Sequence, residues 1–127
     1  MISEKEKNAI DVYVNTFGGS YQKLDPLDID YKLFDKNRIH VGYAEVCIRI
    51  KTMHMAYPLS VSAKKLVKLI DKRINPILIW CCEDGIIYGR ADRLRGEIMW
   101  GTVSPSSDEL VVYYEKQKEF KYIRFAN

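Results

Sequence analysis

Ala63-Lys64-Lys65-Leu66-Val67-Lys68-Leu69-Ile70-Asp71-Lys72-Arg73-Ile74-Asn75-Pro76-Ile77-Leu78-Ile79-Trp80 changes period part-way along. Up to Ile74, the apolar residues Ala63, Leu66, Val67, Ile70 and Ile74 recur at helical spacing, so residues 60–74 read as an amphipathic helix. Ser60 or Ser62 can cap its start. Asn75-Pro76 stops it, because the residue before a proline is steered away from helical geometry. Lys64, Lys65, Lys68 and Lys72 lie off the apolar stripe, so the outer face is basic. Ile77-Leu78-Ile79-Trp80 is then a continuous apolar run, as in a strand covered on both faces. Upstream, Ile39 to Lys51 is rich in β-branched and aromatic residues and reads as a long strand. Strand, helix and strand in this order suit a crossover between parallel strands. The expected class is therefore α/β or α+β, with a mixed sheet.

Outward from this step, residues 28–35 alternate loosely and read as a strand. Lys36-Asn37-Arg38 turns them into the strand from Ile39, giving a β-hairpin. Residues 3–16 carry Ile10, Val12, Tyr13 and Val14, with acids near the start and Gly18 after the end, which predicts an amphipathic helix. After Trp80, Glu83-Asp84-Gly85 turns the chain into Ile86-Ile87-Tyr88. Ile98-Met99-Trp100 is a short strand candidate. A polar loop at 104–108 precedes Leu110 to Tyr114, and Phe120 to Phe125 reads as a final edge strand. Trp80 and Trp100 are expected in the core. Cys81 and Cys82 read as small buried residues, and Tyr113, Tyr114 and Tyr122 as sheet packing rather than base-stacking platforms.

The chain has 127 residues, one domain's worth, so residues 1–127 are expected to form a single domain. At 47% hydrophobic and 12% aromatic it has the material for a core, which excludes wholesale disorder. No apolar run approaches the roughly 20 residues of a membrane helix. Met1 to Asn8 is charged and leads into no apolar stretch, so a secretion signal is not expected and a cytoplasmic location is. The net charge of +3, from 20 basic and 17 acidic residues, permits nucleic-acid binding without demanding it. The cysteines are three, Cys47, Cys81 and Cys82, with no CxxC pair, so free thiols are expected rather than a disulfide framework or zinc knuckle. His40 and His54 have no partner at ligand spacing.

The hairpin carries the constellation that looks chemical. With a two-residue turn at Asn37-Arg38, Asp30 faces Glu45. With a loop from Asp35 to Arg38, Asp28 faces Glu45 and Asp30 is diagonal to it. An aspartate and a glutamate thus meet on one face in either register, with Cβ atoms of opposed residues about 4.5–5.5 Å apart. Like charges there repel, and a hard divalent cation, magnesium or manganese, would remove that penalty while also binding phosphate oxygens. The acids could instead be solvated or paired with Lys32, Arg49 or Lys51. Glu45, Cys47, Arg49 and Lys51 alternate along one strand face, an acid followed by cations, which suits a phosphodiester site or a plain amphipathic strand. Lys64, Lys65, Lys68, Lys72 and Arg73 could neutralise phosphates or form a solvated face. Glu4 or Glu6 could add a ligand from the first helix, or simply form its solvated start.

Asp30-Tyr31-Lys32-Leu33-Phe34, followed by Gly42-Tyr43-Ala44-Glu45-Val46-Cys47-Ile48-Arg49, resembles the small phage-type members of the PD-(D/E)XK nuclease superfamily. Tyr57-Pro58-Leu59-Ser60, the lysine-bearing helix from Ser62, the apolar strand Ile77 to Trp80 and the Asp84-Gly85 hairpin follow in the family's order. The resemblance runs from about residue 24 to the end. It implies an αβββαβ restriction-endonuclease-like core and cleavage of DNA dependent on Mg2+ or Mn2+, in a bacterial host or infected cell. By position, Asp30 and Glu45 match the metal-binding acids, and Cys47 stands where the family keeps its catalytic lysine. Lys65, or else Lys51, is expected to replace that lysine. Arg49, Lys64, Lys68 and Lys72 are expected to contact nucleic acid. Near Gly101-Thr102-Val103-Ser104 the family has a glycine-arginine pair that this chain lacks. The two departures define an alternative: a nuclease fold kept as a binding module without catalysis, for example a phage-encoded inhibitor of a host defence protein. The partners expected are DNA, a host or phage protein, and a second copy of the chain.

Overall fold

The computed structural model describes residues 3–24, 30–104 and 107–126. Its centre is the strand β5 (Pro76–Cys81), in which all six residues are buried. Alternation along the strand explains the continuous apolar run. Ile77, Ile79 and Cys81 enter one core, while Leu78 and Trp80 enter another on the opposite face. The first core lies under the helix α1 (Glu4–Phe17), whose Ala9, Ile10 and Val14 are buried. Ser3 caps that helix through a hydrogen bond from the Glu6 N–H, and Gly18 ends it at φ 75°.

The main sheet has six strands in the order β1-β2-β3-β5-β6-β9. These are β1 (Ser20–Lys23), β2 (Tyr31–Phe34), β3 (His40–Ile48), β5, β6 (Gly85–Arg90) and β9 (Lys121–Arg124). β3 and β5 are parallel and their neighbours antiparallel, so the sheet is mixed as expected. A second, antiparallel sheet of three strands has the order β4-β8-β7, from β4 (Leu59–Ser62), β7 (Glu97–Ser104) and β8 (Ser107–Tyr114). The core between the two sheets gathers Leu59, Val61, Leu78, Trp80, Ile87, Val112, Tyr114 and Phe120. Trp80 joins them directly: its Nε1–H donates to the Ser60 carbonyl at 2.8 Å, and its ring meets Tyr114 and Phe120 edge-on.

The expected helix over 60–74 is shorter. The helix α2 spans Ala63–Asp71, and the residues before it form β4. β4 anchors the chain through buried Leu59 and Val61 and so fixes the phase at which the helix begins. As a result the buried line is Leu69, with Leu66 and Ala63 packed beside it, while Val67 is 66% exposed and Ile70 and Ile74 are also exposed. The predicted stripe is therefore turned partly outward. Leu69→Ala should cost about 2–5 kcal/mol in urea unfolding, whereas Val67→Ala should stay within about 0.5 kcal/mol. Trp100 also departs from expectation: it is 72% exposed on β7.

The hairpin loop takes neither of the two predicted forms. The Arg38 N–H donates to the Asp35 carbonyl and the Asp35 N–H to the Ile39 carbonyl, with Arg38 at φ 65°. The Asp35 carboxylate accepts from the N–H groups of Asn37 and Ile39. Phe34 then pairs with His40 but Leu33 with Gly42, so β3 carries one extra residue. That bulge brings Tyr31 opposite Ala44, the register in which Asp30 comes next to Glu45. Asp28 lies outside the described residues.

Candidate functional site

Glu45 sits inside β3, pairs in register with Leu78 of β5, and is 1% exposed. Its strand face also carries Tyr43 and Cys47, which pack against the core between the sheets. Among the described residues, its Oε2 is the one buried side-chain oxygen or nitrogen without a hydrogen-bond partner. Such an orphan is costly and calls for an explanation. Asp30 approaches from the start of β2. Its Oδ2 accepts the Val46 N–H at 2.8 Å, taking over a strand donor beyond the last backbone pair. Burial pushes the Glu45 carboxyl well above the usual carboxylate range, and the hydrogen bond and the charge of Asp30 add to the shift. Lys65 and Lys23 oppose it without cancelling it. The two acids therefore meet as the sequence predicts, in surroundings that favour the protonated form of Glu45.

Lys65 reaches the pair from the first turn of α2, its Nζ 3.9 Å from Glu45 Oε2. One helical repeat further on, Lys72 stands over the Tyr43 ring at 5.3 Å, so α2 lies along β3 with both lysines on that side. Lys64 and Lys68 instead flank a groove towards Trp100 and Leu110. The single basic face expected of this helix is thus split in two. Arg49 lies beyond the end of β3 and donates through Nε to the Ala56 carbonyl at 2.8 Å, holding the following loop. Lys51 is in a turn beyond the strand, its N–H bonded to the Arg49 carbonyl. The expected single strand face of Glu45, Cys47, Arg49 and Lys51 is therefore interrupted after β3, which ends at Ile48.

A cation that sequence reasoning missed is Lys23, at the end of β1. Its Nζ bridges Asp30 Oδ1 at 3.4 Å and Glu6 Oε2 at 3.3 Å, over the ring of Tyr31. Partial burial works against its charge, but the Asp30 and Glu6 carboxylates outweigh this and raise its pKa. The Tyr31 hydroxyl donates to the same Glu6 oxygen. Glu6, read from the sequence as a ligand or a solvated helix-start acid, instead ties α1 to the site through Lys23 and Tyr31. The signal for Lys23 was weak because β1 is four residues with no clear alternation. Cys47 is the third group along the strand face. Burial pushes its thiol up to about 12, with Glu45 adding to the shift, so it stays neutral and supplies no cation.

Among the described residues, no group of three or more histidine, cysteine, aspartate or glutamate side chains is placed to hold a metal ion. Asp30 and Glu45 offer two carboxylates. Magnesium is commonly held by one or two carboxylates, completing its shell with water and substrate phosphates. The orphaned Glu45 Oε2 is the atom that fits such an ion. No helix among the described residues is long and apolar enough to cross a membrane. The chain matches no protein-family model, no curated protein and no solved structure.

Proposed function

We infer that the chain is a nuclease-fold protein that hydrolyses DNA phosphodiesters with a divalent cation held by Asp30 and Glu45. The observation that carries this reading is the buried Glu45 carboxyl beside Asp30, with one oxygen lacking a hydrogen-bond partner. A fold gains no stability from burying an acid against a second, part-exposed one, and perturbed groups of this kind concentrate at functional sites. The element order adds support. Helix, three strands, helix and strand, with β3 parallel to β5, is the order implied by the resemblance, β4 being an insertion.

A bound magnesium or manganese ion would polarise a phosphoryl oxygen and make its water more acidic. Asp30 is steadied for this by the Val46 N–H and by Lys23, which Glu6 in turn holds. Lys65 brings its ammonium group to 3.9 Å from Glu45 Oε2, the electrostatic part of what a lysine at position 47 would supply. Lys72, on the same side of α2, extends that charge along the path of a DNA backbone.

Cleavage of supercoiled, linear and single-stranded DNA with magnesium or manganese is the test. Cleavage should disappear on chelation and in Asp30→Ala, and fall about 100-fold in Lys65→Ala. Activity unchanged by Asp30→Ala would refute the site. A second reading, the binding module without catalysis, is favoured by the neutral Cys47 thiol in the lysine position. An inert parent that gains cleavage in Cys47→Lys would select it.

A further inference from the structure

Residues paired across antiparallel strands share a face of the sheet, and so do residues two apart along one strand. The register therefore puts Lys32 and Phe34 of β2 on one face with His40, Tyr43 and Glu45 of β3, and the extra residue in β3 keeps His40 there although Tyr43 is three positions on. The opposite face of these strands belongs to the core under α1. On the first face three rings form a run. The centroids of Phe34 and His40 are 5.9 Å apart, and those of His40 and Tyr43 4.7 Å. The His40 Nε2 lies 3.0 Å from the Gly42 carbonyl oxygen, which fixes the middle ring. A lysine stands at each end: Lys32 Nζ is 5.7 Å from the Phe34 centroid, and Lys72 Nζ 5.3 Å from that of Tyr43.

Core packing does not account for this run. Phe34 belongs to neither core, and Phe34 and His40 are only half-buried. The rest of the face on β1 is Ser20 and Gln22, both neutral. Among the described strand residues no acid lies on it short of the Asp30–Glu45 pair, and the Asp35 carboxylate in the hairpin loop is turned to the N–H groups of Asn37 and Ile39. Lys65 continues the cations to Glu45 itself. Rings interleaved with cations match a polyanion that carries planar bases in the open, as a single nucleic-acid strand does. A duplex keeps the faces of its bases inside the stack, so it could use the lysines but not the rings.

We propose that this face binds single-stranded DNA, with bases stacked on Phe34 and His40 and phosphates on Lys32 and Lys72. It makes a single strand the substrate of the cleavage inferred above, and rests on that reading for its role. Tyr43 precedes Glu45 by two residues, about 6.6 Å of strand, so a chain held on the rings leads to the acids. Lys32 must leave the Phe34 ring to admit a base. An exposed contact of that kind is worth about two- to fivefold in an equilibrium constant. A stacked base returns about five- to 150-fold, and the displaced ammonium can take a phosphate.

Fluorescence anisotropy with an oligothymidylate of about 12 nucleotides, in EDTA so that the strand stays whole, tests the face. The parent should bind it at least about tenfold more tightly than a duplex of the same length. Phe34→Ala should weaken binding by about five- to 150-fold, and Phe34→Tyr, which keeps a ring, should restore most of it. Circular dichroism should match the parent's, because Phe34 lies outside both cores. Lys32→Gln should lower the slope of log affinity against log salt by about 0.7. No binding at low salt, equal affinity for the duplex, or Phe34→Ala and Lys32→Gln variants that bind as the parent does would overturn the proposal. Single-strand binding by a chain that cuts nothing with magnesium or manganese would sink the cleavage and leave this face standing. Metal-dependent cleavage of duplex without single-strand binding would sink the face alone.

Discussion

Glu45→Gln is expected to stabilise the metal-free chain at alkaline pH while abolishing cleavage. The two effects have one origin. Burial, reinforced by Asp30, raises the pKa of Glu45 above its unfolded value of 4.5. The folded state therefore binds the proton more tightly than the unfolded chain. Where the folded state holds more protons, stability falls as pH rises. The contribution is fully present below the unfolded pKa and is lost as pH climbs through the folded one. Glutamine has the same shape, cannot ionise, and its amide N–H can donate to Asp30 in place of the shared proton. At pH 8 the variant should gain on the order of 1–3 kcal/mol in chemical denaturation, at about 1.4 kcal/mol per unit of pKa difference removed. Its stability should also lose the parent's decline above the ordinary carboxylate range. Its cleavage rate should fall at least about 1,000-fold, since a cation held by one carboxylate fewer forfeits several kcal/mol of charge stabilisation. A variant that is both less stable and fully active would mean that Glu45 is a structural acid.

Trp80→Ala is the largest expected loss of stability, about 3–5 kcal/mol in urea unfolding. The indole is 1% exposed and spans the two sheets, with Tyr114 and Phe120 edge-on to it. Its deletion leaves a cavity between layers and strips the Ser60 carbonyl of its donor. Trp80→Phe separates the two contributions: the smaller ring keeps much of the packing, and the lost hydrogen bond should cost about 1–3 kcal/mol. Ser60 belongs to β4, which runs directly into α2 and Lys65. Loosening that sheet should therefore relax the approach of Lys65 to Glu45. Cleavage by Trp80→Phe should fall under conditions where its circular dichroism matches the parent's.

The legible parts of the sequence were those fixed by strong burial. Ile77 to Trp80 announced a doubly covered strand because both of its faces meet a core. The meeting of Asp30 and Glu45 was legible although the turn was not. Buried Tyr31, Leu33, Ala44 and Val46 tie the register to one face, and the bulge in β3 absorbs the difference in loop length. β1 and β4 were illegible because four residues give too little alternation to read. The phase of α2 was read correctly at Ala63 and Leu66 but not beyond, because Val67 and Ile70 are as apolar as Leu69, and the anchoring of β4 turns Leu69 inward instead. Trp100 misled for a related reason: a bare composition cannot distinguish a core tryptophan from one on an uncovered sheet edge. Lys23 was missed because its role depends on β1 lying beside β2, which brings it to Glu6 and Asp30 from two other elements.

On the proposed reading, Asp30 and Glu45 together hold a divalent cation in place of a proton. Isothermal titration with manganese, repeated in buffers of different ionisation enthalpy, addresses it most directly. Metal binding requires the ionised carboxylates, so it should expel the proton that burial and Asp30 favour on Glu45. The expected result is saturable binding whose heat changes with the buffer, reporting proton release, and its loss in Asp30→Asn and Glu45→Gln. Absence of heat in every buffer, or undiminished binding by those two variants, would mean that Asp30 and Glu45 do not form a metal site.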